Sequence, residues 1–125
     1  QTHHTYHPVP DGPSRRIERD LLSGRMTVDF PRWVSSVEMP DIGHVQHSRG
    51  IARMEITDGD PLSATAITRY RVEIQRRDCT AVHESEGRMT CDATHFRVEM
   101  DLTIRENDTV IFTRHWDEKF ARDHV

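Results

Sequence analysis

Lysine is nearly absent from this chain: of 17 basic residues only Lys119 is a lysine, the rest being arginine. Dense basic runs are missing as well, and 21 acidic residues leave a net charge of −4. A nucleic-acid partner is therefore not expected, because neutralising phosphates needs clustered Lys and Arg. No apolar run approaches the ~20 residues that span a bilayer, and no basic-then-apolar leader precedes the first turn signals, so no membrane partner is expected either. Aromatic residues make up 6% and apolar residues 34% of the chain, against 30% charged. That balance suits a thin sheet with one solvated face better than a deep α/β core.

Cysteine is scarce too. Cys79 and Cys91 are the two, with no C-x-x-C spacing. Placed on one strand they stand about 40 Å apart at ~3.3 Å per residue, so a mutual disulfide is not expected and free thiols in a reducing cytosol are. Phosphate-cradling loops (G-x-x-x-x-G-K, G-x-G-x-x-G) and the G-x-S-x-G nucleophile elbow are absent. No nucleotide or other cofactor is expected, and Ser48, Ser63 and Ser85 have no motif that would make them nucleophiles. A length of 125 residues defaults to one domain. The opening at Gln1 is read as the edge of a cut domain.

What the chain does contain is alternation. From Phe96 to Ile104, Phe96, Val98, Met100, Leu102 and Ile104 alternate with Arg97, Glu99, Asp101 and Thr103. Successive side chains of a strand point to opposite faces, so this is a half-buried strand. Glu106-Asn107-Asp108 turns the chain, and Val110, Phe112 and Trp116 return over the same face. Upstream, Leu62 to Arg76 alternates Ala64, Ala66, Thr68, Tyr70, Val72 and Ile74 with mostly polar partners. Arg76-Arg77-Asp78 turns, and Cys79 to Cys91 runs back as a polar strand. Residues 45–56 end in Met54 and Ile56 before the Asp58-Gly59-Asp60-Pro61 turn. Arg16–Leu22 and Arg25–Phe30 form two short strands around Ser23-Gly24. Single helical turns are conceivable only over 34–39 and 117–121.

The expectation is an all-β domain over 14–125: an antiparallel sandwich or strongly curved meander, jelly-roll-like or half-barrel, of about seven strands. Residues 1–13, with three histidines, three prolines and one glycine, read as an extended arm or linker. The expected core is Ile51, Met54, Ile56, Tyr70, Val72, Ile74, Met89, Phe96, Val98, Met100, Leu102, Ile104, Val110, Phe112 and Trp116.

Candidate sites are few. His3, His4 and His7 have workable ligand spacing, but a terminal arm supplies no rigid frame or fourth ligand, and no metal site is expected. His44 and His47 form an H-x-x-H pair read as solvent-facing. Glu84 and Glu86 share a strand face and read as solvated carboxylates, not an acid/base pair. Arg114 falls on the inward side with Trp116, with Asp117, Arg122 and Asp123 as candidate partners. Tyr70, Phe96, Phe112 and Trp116 would line any pocket for a small apolar or carbohydrate ligand; a cavity of ~300 Å³ or more is the requirement.

Three segments carry a resemblance: DGDPLSA (58–64), TCDATHFRVEMDL (90–102) and RHWDEKFARDHV (114–125). Together they resemble the C-terminal end of long bacterial acyl-hydrolases, the X-Pro dipeptidyl-peptidase and cocaine-esterase-like serine hydrolases. The resemblance covers roughly residues 50–125. It rests on a DPLSA turn (Asp60 to Ala64), a TCDA-x-x-F run (Thr90 to Phe96), and Trp116 followed by Arg122, Asp123 and Val125. It implies a β segment following an α/β-hydrolase domain and a jelly roll. The Ser-His-Asp triad of that family lies in a domain this chain does not contain, so no catalytic residue carries over. The implied role is a non-catalytic accessory domain. Its partner would be the hydrolase domain of the same parent chain, and any self-association is expected through an exposed strand edge. If Phe96 and Leu102 point inward, Phe96→Ala or Leu102→Ala should each cost roughly 2–5 kcal/mol by cavity creation, read as a lowered denaturation midpoint.

Overall fold

The computed structural model describes residues 3–5 and 15–123. Nine strands form one antiparallel sheet. They are β1 (His3–Thr5), β2 (Arg16–Arg19), β3 (Arg25–Asp29), β4 (Trp33–Met39), β5 (His44–Thr57), β6 (Asp60–Gln75), β7 (Thr80–Cys91), β8 (His95–Glu106) and β9 (Thr109–Ala121). β5 to β9 are long and pair in sequence order as a meander. On the other side of β5, β4 pairs with its first half and β3 with its second, while β2 and β1 extend β3 and β4.

The all-β antiparallel architecture is thus the one expected; the strands form a meander in a single open sheet that does not curl into a half-barrel. The two strands beyond seven are β1 and β4. Residues 3–5 of the N-terminal arm pair with β4, while the remainder of the arm, including His7, lies outside the described residues. Both stretches read as conceivable helical turns, 34–39 and 117–121, are strand. Cross-strand partners along their whole length override any local turn preference. The only helical piece among the described residues is a 3-10 turn at Pro40–Ile42. It ends at Gly43 (φ 61°), where the Arg77 side chain lies 2.9 Å from the position a Cβ would take.

The turns follow from their residues. Asn107 and Asp108 both adopt positive φ (47° and 67°), as a two-residue hairpin connection with right-handed twist requires. Between β5 and β6 the register shifts after the Glu55–Thr65 pair, leaving residues 61–64 as a bulge before Asp60 pairs with Thr57. Pro61 sits in that bulge, where its missing N–H breaks no ladder. The Ser63 hydroxyl accepts from the Thr57 N–H at 2.8 Å and donates to the Asp60 carbonyl at 2.6 Å, which stitches the bulge closed.

Register divides the residues between two faces. One carries Met26, Val28, Met54, Ile56, Ala64, Ala66, Tyr70, Val72, Ile74, Met89, Phe96, Val98, Met100, Leu102, Ile104, Phe112 and Trp116. Two members of the expected core belong to the other face. Ile51 pairs with Arg69, and Val110 pairs with Arg105 because a bulge at the start of β9 inserts an extra residue between Val110 and Phe112. The larger correction concerns burial. Among the described residues no apolar side chain is buried, and Met54 (51%), Tyr70 (41%), Met89 (43%), Met100 (40%) and Phe112 (45%) are exposed. The face predicted to be a core is assembled, but none of the described elements covers it. Phe96 and Leu102 are only half-buried, so their truncation should approach the cavity cost stated above only where a further layer covers this face.

Candidate functional site: the apolar face and its corner

One end of the apolar face is hollowed into a trough of about 350 Å³, lined by Met26, Val28, Met54, Ile56, Met89 and Phe96 together with Ala64, Ala66 and Cys91. Small alanines on β6, between the longer side chains of β5 and β7, create the hollow. Both cysteines are free thiols. Cys91 lies against the bulge, its Sγ 4.0 Å from the Pro61 carbonyl and 3.8 Å from that of Leu62.

Beside the trough the β7–β8 connection forms a tight corner. The Asp92 carboxylate accepts backbone N–H bonds from Thr94 (2.8 Å) and His95 (2.7 Å), and these hold its pKa below the usual aspartate value. Arg122, arriving from the end of β9, donates through Nη1 to the Asp92 carbonyl at 2.8 Å, and its backbone N–H donates to Thr94 O at 2.9 Å. Its guanidinium lies over the Phe96 ring, 5.1 Å from the centroid. The chain end up to Arg122 is therefore docked on the sheet. Arg114, by contrast, is exposed and lies over the Trp116 ring at 4.6 Å. Asp117 cannot serve it, because alternation puts Asp117 on the opposite face, where it binds Arg97.

The other face is a lattice of cross-strand ion pairs. Arg53 grips Asp29 with two bonds (2.7 and 3.1 Å), and Arg97 grips Asp117 likewise. Arg69 pairs with Glu86, Arg71 and Arg105 with Glu84, and Arg25 with Glu55. Glu84 and Glu86 do share a face, each matched by arginine. The hydrogen bonds from Arg53 and Arg97 depress the pKa values of Asp29 and Asp117 respectively. His115 shares a 2.7 Å hydrogen bond with Asp101, which raises the imidazole pKa. A second hollow of about 640 Å³ opens on this face, floored by Gly50, Tyr70 and Ser85 and walled by Arg32, Arg49, Arg69, Arg71, Glu84 and Glu86.

The four aromatics singled out for a pocket all sit on the apolar face, but the structure does not gather them. Phe96 lines the trough, Tyr70 floors the hollow of the charged face, and Phe112 and Trp116 line neither. His44 and His47 point to opposite faces, as residues three apart on a strand must. His47 hydrogen-bonds Ser36 at 3.1 Å, whereas His44 is buried (8% exposed), so the solvent-facing reading holds for His47 alone. The two ring nitrogens of His44 find no partner among the described residues. One cluster was invisible in the sequence: Glu99, His115 and Asp117 bring ligand atoms within 4.8 Å of one another. Only the β8–β9 register, which pairs Glu99 with Asp117, creates it. Arg97 already spans both carboxylates, at 2.5 Å from Asp117 and 3.3 Å from Glu99, so the cluster's charge is balanced within the ionic lattice. Compared with protein-family models, with curated proteins and with solved structures, the chain matches none.

Two outcomes follow from this geometry. Arg122→Ala should lower stability by about 1.5–3 kcal/mol, the usual worth of a hydrogen bond from a charged group, with Arg122→Lys recovering only part of it in urea melts. His115 is stabilised in its protonated form, so its contribution is complete below about pH 6.5 and is lost as pH rises through the elevated folded value. His115→Gln should therefore flatten the fall in melting temperature between mildly acidic and mildly alkaline buffer.

Proposed function

We propose that this chain is a non-catalytic C-terminal β domain of a larger serine hydrolase, of the X-Pro dipeptidyl-peptidase and cocaine-esterase-like kind. Its apolar face packs on the rest of that protein, where it supports the fold or shapes the rim of the active site. The observation that carries this reading is the uncovered apolar face. A sheet with one dry face is stable only when a second layer covers it, and no described element of this chain does so. Further support comes from where the three resembling segments lie. Cys91 touches the carbonyls of Pro61 and Leu62, and Arg122 binds the Asp92 carbonyl and stacks on Phe96. Residues far apart in sequence thus form one corner, which is a reason for them to occur as a set.

A second reading, a free-standing module that binds a small apolar or carbohydrate ligand, takes its support from the trough, whose 350 Å³ falls within the range of small-molecule sites. The two are separated by the parent reading frame and by comparing ester and X-Pro amide hydrolysis by the full-length protein and by the 125-residue chain. The accessory-domain reading expects an upstream G-x-S-x-G hydrolase and turnover by the full-length protein alone. A frame with no hydrolase domain, or hydrolysis by the 125-residue chain itself, would defeat it.

A further inference from the structure

The outer edge of β9 is the longest unpaired strand edge among the described residues. The Arg122 N–H bond to Thr94, carried through the β8–β9 register, directs the backbone groups of even-numbered β9 residues toward β8. The N–H and C=O groups of Thr113, His115, Asp117, Lys119 and Ala121 therefore point to the free edge. No proline interrupts this stretch, and the usual protections of an open edge are confined to its charged side chains.

Those charges are arranged to match a second copy of the same strand. We propose that β9 pairs antiparallel with β9 of a second copy of this chain, about a two-fold axis at Trp116 and perpendicular to the sheet. In this register His115 and Asp117 form hydrogen-bonded pairs with Asp117 and His115 of the second copy, the residues whose backbone groups face outward. On the apolar side, Arg114 meets Glu118 of the second copy, Glu118 meets Arg114 of the second copy, and Phe112 meets Phe120 at each end. Opposite charges and aromatic pairs directly across a strand pair are the favourable combinations. The neighbouring registers that keep the same faces together lose this match. A slip one way sets His115 against His115 and Phe112 against Glu118. A slip the other way sets Asp117 against Asp117 and His115 against Lys119. The bulge beyond Val110 ends the pairing at Ile111. The two apolar faces come out on the same side, so the dimer presents one continuous apolar sheet. This interface does not depend on the hydrolase reading.

Charge reversal tests it. In sedimentation of the protein in its complete reading frame, the wild type should show twice the protomer mass. Arg114→Glu and Glu118→Arg should each shift the population to monomer. The double variant Arg114→Glu/Glu118→Arg should restore the dimer, because the swap recreates both cross-strand pairs. As a second measurement, Trp116→Cys in a Cys79→Ser/Cys91→Ser background should give a disulfide-linked dimer on a non-reducing gel, since position 116 faces its own copy across a close, non-hydrogen-bonded pair. A monomeric wild type would overturn the proposal. So would a doubled mass insensitive to both reversals, which would place the contact elsewhere, such as the apolar face. A double variant that stays monomeric, together with no cross-link at 116, would overturn it as well.

Discussion

Everything in this molecule depends on the cross-strand backbone ladder and the strict alternation it imposes. Each strand from β5 to β9 runs through at least twelve residues of pairing with little interruption. Each residue's face is therefore fixed by its place in the register, and the sheet sorts itself into one apolar and one charged surface. The two bulges, one at the start of β6 and one at the start of β9, are where alternation is locally reset. Their effects are specific: one seats Pro61 beside Cys91, the other moves Val110 away from Phe112.

The charged face gives the arginine bias a use. Asp29 and Asp117 are each held by two parallel bonds from the planar fork of an arginine, a geometry lysine does not offer. Pairs this exposed contribute little singly. Their arrangement still specifies register, because a one-residue slip would set arginine beside methionine and alanine. The apolar face has no such partner among the described residues. Its stabilisation requires contact with another layer, and that requirement links the fold to the accessory role proposed for it. Edge pairing at β9 would widen the same surface without covering it.

Much of the fold was legible in the sequence. The alternation over Phe96–Ile104 and Leu62–Arg76, the Asn107-Asp108 and Asp58-Gly59 turns, and the short hairpin about Ser23-Gly24 were all visible because period and turn chemistry are local. β4 was missed: Ser35-Ser36 interrupts its apolar residues between Pro31 and Pro40, so no period of two shows, and only its pairing with the first half of β5 makes it a strand. The candidate site was legible in part. The segments DPLSA, TCDATHF and RD stood out as strings, yet nothing local could say that Arg122 would bind the Asp92 carbonyl, or that Glu99 and Asp117 would meet.

The sequence by itself determined the class of structure and the two-faced character of its strands, because both arise from side-chain period and from residues with strong backbone preferences. The tertiary structure decided what those faces do. Sequence alternation names a dry face without saying whether anything covers it, and here the strands extend into one open layer instead of folding back into two. The bulges, the docking of Arg122 at the Asp92 corner and the charge pattern along the β9 edge are likewise products of register. Register is set by pairing between distant segments, which no local window of the chain contains.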